Sequence, residues 1–156
     1  MDKIKIVIGA DHRGYLLKSF LKADLNYHIG NLEILDVGTH TQERTDYPIY
    51  AKAAVSAIKN GQAQYGILIC ANGIGVSIVA NRFPGIYAGI AWNWQVAKSA
   101  KEDDNINMIV IPADFVDREE SIKIVVAWLT SNFKGDDTSE GQVYINRIKM
   151  IDDIKN

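Results

Sequence analysis

Residues 65–75 read Tyr65-Gly66-Ile67-Leu68-Ile69-Cys70-Ala71-Asn72-Gly73-Ile74-Gly75. Apolar residues without alternation predict a strand covered on both faces, here Gln62 to Cys70, central in a parallel sheet. The run then breaks into glycines, and the only cysteine of the chain stands at the break. Glycines at 73 and 75 let the backbone turn tightly and open a helix whose first amides favour an anion, and favour thiolate over thiol. A cysteine so placed is a candidate base beside an oxyanion hole, suited to removing a proton next to a carbonyl. The plainer reading is a small core residue ending a buried strand. No Lys-Ser/Thr follows the second glycine and the six-residue dinucleotide fingerprint is missing, which argues against a nucleotide enzyme.

Outward from this stretch, short β-rich runs alternate with helix-period segments, the pattern of about five βα units around a parallel sheet. Ile4–Ile8 is expected as the first strand, followed by a helix carrying Leu16, Leu17, Phe20, Leu21 and Leu25. Glu33–Val37 is a second strand, then a polar loop from Gly38 to Asp46 and a helix from Pro48 to Gly61. Further strands are expected at Tyr87–Trp92 and Asn107–Ile111, separated by a helix bearing Val96 and Ala100, with another helix from Glu119 to Phe133. A turn-rich loop from Lys134 to Gly141 precedes a last helix at Val143–Ile154, placed to pack on a neighbouring subunit.

The 156 residues, 47% of them hydrophobic, are expected to form one domain over 1–156. Seventeen basic against nineteen acidic residues give a net charge of −2 with no long block of either sign, so neither nucleic acid nor a membrane surface is expected as partner. The expected ligand is a small molecule. A single cysteine excludes an intrachain disulfide, the apolar run at the N-terminus is too short for a signal peptide, and no segment approaches the roughly 20 apolar residues that span a bilayer. The expected compartment is the cytoplasm.

Other strand ends supply polar company. Asp11 and His12 close the first strand, and Thr45-Asp46-Tyr47-Pro48 closes the loop after the second. An Asp-His pair suits orienting and protonating sugar oxygens, or else marks a surface turn with a helix cap, and Asp46 also reads as a simple N-cap. Trp92 and Trp94 are placed to narrow a pocket, face a partner or fill core.

Gly9-Ala10-Asp11-His12, Glu43-Arg44-Thr45-Asp46-Tyr47-Pro48, Gly66-Ile67-Leu68-Ile69-Cys70, Gly73-Ile74-Gly75, Ala80-Asn81-Arg82-Phe83-Pro84-Gly85-Ile86 and Ala127-Trp128-Leu129 follow one another along nearly the whole chain. Together they resemble the type B ribose-5-phosphate isomerases and the related galactose-6-phosphate isomerase subunits. The resemblance implies a three-layer α/β/α Rossmann-like domain with a central parallel sheet of about five strands, a homodimer or dimer of dimers, and no metal or organic cofactor. It implies aldose–ketose isomerisation of a sugar phosphate through an enediolate. Cys70 matches the family's base and Asp11, His12 and Tyr47 its sugar contacts. The amides of Asn72, Gly73, Ile74 and Gly75 match its anion hole, with Ala71 in the same substrate-binding turn.

The chain departs from the family at three places. Cys70-Ala71-Asn72-Gly73 stands where Cys-Gly-Thr-Gly is usual, and the Asn72 amide, in a catalytic position, hydrogen-bonds sugar oxygens but relays protons poorly. Asp103-Asp104 stands where the ribose enzymes carry His-Asn, which the resemblance assigns to ring opening across the dimer interface. Asp103 is thereby a candidate acid or base and Asp104 a substrate contact, although a carboxylate near pKa 4 donates less well at neutrality than imidazole near 6.5. The alternative is a solvated acidic helix end. Of the family's phosphate-binding arginines only Arg147 is matched, with Asp114 and Val143 at two others, so Arg13, lysines or a partner chain would have to compensate. These changes are similar to the B subunit of galactose-6-phosphate isomerase, which works with a paralogous partner. A sugar-binding homologue without turnover is the rival from another functional class.

Overall fold

Ile67, Leu68 and Ile69 are fully buried, and their place in the sheet explains it. The computed structural model describes residues 2–137 and 139–154, leaving Thr138 of the turn-rich loop outside the described residues. Its strands are β1 (Ile4–Ala10), β2 (Leu32–Asp36), β3 (Tyr65–Cys70), β4 (Ala88–Ile90) and β5 (Met108–Pro112). All pair in parallel in one sheet of order β2-β1-β3-β5-β4, so β3 is central. The helices are α1 (Tyr15–Ile29), α2 (Tyr47–Lys59), α3 (Ile74–Ala80), α4 (Trp94–Asp104), α5 (Arg118–Thr130) and α6 (Gln142–Asp152), the last preceded by a 3-10 turn at Lys134–Asp136.

Successive strand side chains alternate between two cores. Ile6, Ile8, Ile67, Ile69, Ile109 and Ile111 pack under α1, α4 and α5 with Leu21, Leu25, Ala97, Ile124 and Trp128. Val7, Leu68, Cys70, Met108 and Val110 face α2 and α3 with Ala54, Val55, Val76 and Ala80. The architecture is therefore the three-layer α/β/α sandwich expected. The unbroken apolar strands and the helices' apolar stripes are two statements of the same layering.

Where boundaries moved, local bonding explains it. The third strand begins at Tyr65 rather than Gln62, because the amides of Gln62 and Ala63 turn back onto Ala57 O and close the end of α2. β4 is shorter than expected because it lies at the sheet margin with a single neighbour, and Trp92, 57% exposed, lies beyond it. Trp94 is 40% exposed, which removes the core reading of the tryptophan pair.

The strand order reverses direction between β1 and β3, the point at which open α/β sheets leave a crevice at their carboxyl ends. The loop after β2 is laid against that crevice. Ala10 N donates to Gly38 O at 2.7 Å and Thr39 N to Ala10 O at 2.6 Å, continuing the ladder beyond the strands. Asp36, at the end of β2, accepts from Lys18 Nζ at 2.7 and 2.6 Å, from Lys22 Nζ at 2.6 Å and from Gly38 N at 2.9 Å. Burial pushes the Asp36 carboxyl up, but the two ammonium groups and the amide outweigh it and hold it below its ordinary value. Lys18 is 1% exposed, a charge tolerated inside only because it is paired.

Candidate active site

Cys70 ends β3 and is 4% exposed. Its Sγ accepts from Gly73 N at 3.2 Å, and the Val76 and Asn72 amides also hydrogen-bond the residue. Gly73 makes this possible, because its φ of +77° is the left-handed backbone that glycine adopts without strain. The amides thus favour thiolate, as expected. Burial opposes them and is the larger effect, with the Asp11 carboxylate adding to it, so the Cys70 thiol is pushed above its ordinary 9.0.

The Ile74 amide and two carbonyls of the turn are engaged inside the chain. Ile74 N donates to Asn72 Oδ1 at 3.0 Å, so the carboxamide of Asn72 stands where an incoming oxygen would sit. Ala71 O accepts from Asp114 N, and Cys70 O from Ala113 N, each at 2.9 Å, which ties the turn to the end of β5. Gly75 has a different reason to be glycine. A Cβ there would meet the Tyr47 ring at 2.5 Å, so the start of α2 lays that ring directly on the start of α3.

Asp11 and His12 follow β1 on the neighbouring strand. Asp11, 6% exposed, accepts from Arg13 N at 3.0 Å and Gly14 N at 3.2 Å, holding the turn into α1. His12 Nδ1 lies 3.2 Å from Thr45 O and 3.3 Å from Thr45 N, pinning the loop after β2 in either tautomer. Asp46 takes the N-cap position of α2 but its side chain makes no capping bond. Cys70, Asn72, Asp11, His12 and Tyr47 therefore share one edge.

Asp103, Asp104 and Arg147 do not join them. Asp103 and Asp104 end α4, which leads into the amino end of β5, at the opposite edge. Asp103 is paired with Lys134, and Asp104 is exposed. Arg147 is on α6, with its guanidinium 5.6 Å from the Tyr144 ring centroid. A cavity of about 750 Å³ lies at that same edge, lined by Asn81, Phe83, Tyr87, Ile151, Asp152 and Ile154 and by none of the residues expected at the site. Among the described residues no group of three or more His, Cys, Asp or Glu is placed to hold a metal, and no helix is long and apolar enough to cross a membrane.

Two supports of the site escaped the sequence reading. The Lys18–Asp36 pair anchors the loop that reaches His12, and its trace was a lysine in register with Leu21 and Leu25 on the buried face of α1. The other is an ion pair between Arg13 and Asp114, which sequence distance hides.

Comparison with known proteins agrees with this fold. Residues 6–148 match the family model described as Ribose/Galactose Isomerase. The chain is 37% identical to ribose-5-phosphate isomerase B of Escherichia coli K12 over 84% of its length and 87% of that protein. It is 31% identical to ribose-5-P isomerase B of Listeria innocua over 96% and 97%. Among solved structures, it superposes on a ribose 5-phosphate isomerase of Thermotoga maritima with TM-score 0.86 and 36% identity, covering 97% of this chain and 99% of that one. The type B enzyme of Clostridium thermocellum gives TM-score 0.87 and 34% identity over 96% and 95%. On the match over residues 6–148 and these near full-length relatives, the chain belongs to the ribose/galactose isomerase family and is an isomerase.

Proposed function

We propose that the chain interconverts aldose and ketose forms of a sugar phosphate of the ribose 5-phosphate/ribulose 5-phosphate type, with Cys70 as the base. The observation that carries this reading is the sulfur itself, at the carboxyl end of the central strand, fed by amides and within reach of the Asp11 charge, with Tyr47 laid on the helix start that follows it. The thiolate takes the proton from C2 of the open-chain aldose. Electrons move onto the C1 carbonyl to give an enediolate, and the proton returns at C1 to leave the ketose. Asn72 hydrogen-bonds the two oxygens once its Oδ1 releases the Ile74 amide, and water carries the hydroxyl proton between them. Because burial raises the thiol, the thiolate is a minority form near neutrality.

Ring opening by Asp103, sugar contact by Asp104 and phosphate binding by Arg147 require a second copy of the chain, since all three lie at the other edge. The exposed α6 residues Val143, Met150 and Ile151 support such a homodimer. The Escherichia coli and Listeria innocua relatives are ribose-5-phosphate isomerases, which favours the pentose phosphate over the galactose-6-phosphate reading.

The test is isomerisation by the purified chain on pentose phosphates, hexose phosphates and free sugars, beside Cys70→Ala and Cys70→Ser. Wild type is expected to turn over ribose 5-phosphate, and Cys70→Ala to lose about 10³-fold in kcat while melting as a folded protein. Equal activity in Cys70→Ala removes the base assignment. A chain inert on every sugar but thermally stabilised by one is a binding protein or half of a heteromer.

A further inference from the structure

Across the mouth of this site runs an ion pair that the proposed chemistry does not use. Arg13 Nη2 donates to Asp114 Oδ2 at 2.7 Å. Arg13 follows β1 and Asp114 follows β5, the two strands that flank β3, so the pair ties the loops on either side of the strand that ends in Cys70. The backbone of each partner is tied to a residue next to Cys70 or acting on it. The Asp114 amide donates to Ala71 O, and the Arg13 amide to the Asp11 carboxylate whose charge acts on Cys70.

The side chains are 55% and 39% exposed, so an anion entering the mouth reaches the guanidinium. It meets that guanidinium already engaged by a carboxylate. Arginine binds phosphate best when both arms of its fork are open to it. Asp114 takes up part of that capacity and adds a negative charge that repels a dianion.

We propose that Asp114 is a specificity-determining residue that competes with the phosphate of the sugar for Arg13, weakening the site's preference for phosphorylated over free sugars. This rests on reading the Cys70 crevice as the sugar site. A sugar phosphate binds by exchanging the Arg13–Asp114 pair for an Arg13–phosphate pair, whereas a free sugar leaves the pair intact. Asp114 acts through Arg13 and through charge, and it moves no proton in the reaction.

The experiment is calorimetric titration of ribose 5-phosphate, ribose and inorganic phosphate into Cys70→Ala, which silences turnover, and into Cys70→Ala combined with Asp114→Asn, Arg13→Ala or both. Asp114→Asn is expected to tighten ribose 5-phosphate and inorganic phosphate about fivefold, the scale of an exposed ion pair, and to leave ribose unchanged. In the Arg13→Ala background that gain shrinks. No tightening of either phosphate, or the same gain for ribose, overturns the proposal. If ribose 5-phosphate binds equally well when Tyr47 is changed to Ala, or does not bind at all, the sugar site is misplaced and the role of Asp114 falls with it. If it binds there and Asp114→Asn changes nothing, the site stands and only the role of Asp114 is lost.

Discussion

The two edges of the sheet are built in opposite ways. At the carboxyl edge, the loops after β1, β2, β3 and β5 are stitched together by the Thr39–Ala10, Thr45–His12, Ala113–Cys70 and Asp114–Ala71 bonds. At the amino edge, α6 has no buried residue, Met150 is 71% exposed, and the cavity beside Tyr87 opens between α6 and the loop before β4. One edge is preorganised within a single chain, as the proposed base and its hydrogen-bond donors require. The other is left unfinished, with the charged residues that the family resemblance assigns to the substrate standing far from Cys70. The difference separates what one chain organises by itself from what the proposed function assigns to a second copy, namely Asp103, Asp104 and Arg147 brought to the Cys70 crevice of a neighbour.

Subunit mixing is the strongest attempt to break that comparison. Cys70→Ala and Arg147→Ala are each expected to be nearly inactive on a sugar phosphate. Unfolded and refolded together, they should regain about a quarter of wild-type activity, because half of randomly paired dimers hold one intact site. Mixing that restores nothing would mean that the amino edge contributes nothing to the neighbour's Cys70 crevice.

A pH profile sharpens the account of the carboxyl edge. With the Cys70 thiol raised by burial, kcat/KM should climb about tenfold per pH unit from neutrality and reach no plateau below pH 9. A plateau near pH 7 would show that the amide field outweighs burial after all.

The anchoring of the loop after β2 is tested by Asp36→Asn, which leaves the Lys18 ammonium buried without its carboxylate. We expect a loss of about 3 kcal/mol in urea unfolding. Asp36 titrates below its ordinary value when folded, so its stabilising contribution is complete above the unfolded carboxylate pKa near 4. That contribution fades as pH falls through the depressed value, so Asp36→Asn should flatten the wild type's acid loss of stability.

Gly75→Ala carries the smallest expected effect and separates packing from binding. Its Cβ displaces the Tyr47 ring, which is 39% exposed and free to swing away. Melting should therefore change little while KM rises about tenfold, the loss of one good contact. A large fall in melting temperature with KM unchanged would make Tyr47 a packing residue.

The fold was readable because its layering is written twice. Ile67-Leu68-Ile69 shows a strand buried on both faces, and the Leu21/Leu25 and Ala51/Ala54/Val55 spacings show the helices that bury it. Cys70, Gly73, Asp11 and His12 were readable as candidates because each stands where a strand ends, and strand ends of a parallel sheet share one edge. What the sequence left open has a physical pattern of its own. Asp103 and Arg147 were named for the site only by resemblance, since spacing along the chain says nothing about the edge to which a helix end returns.

By itself the sequence determined the layer order, the central strand, and the glycine turn that carries the cysteine, because these follow from local periodicity and backbone sterics. Only the tertiary structure decided that the thiol is raised rather than lowered, that Gly75 is small to admit Tyr47, and that Arg13 is engaged by Asp114. Each of these depends on what residues distant along the chain bring to within a few ångströms. Burial, steric contact and charge pairing act through space, and residues 13 and 114 meet only after β1, β3 and β5 have been laid side by side.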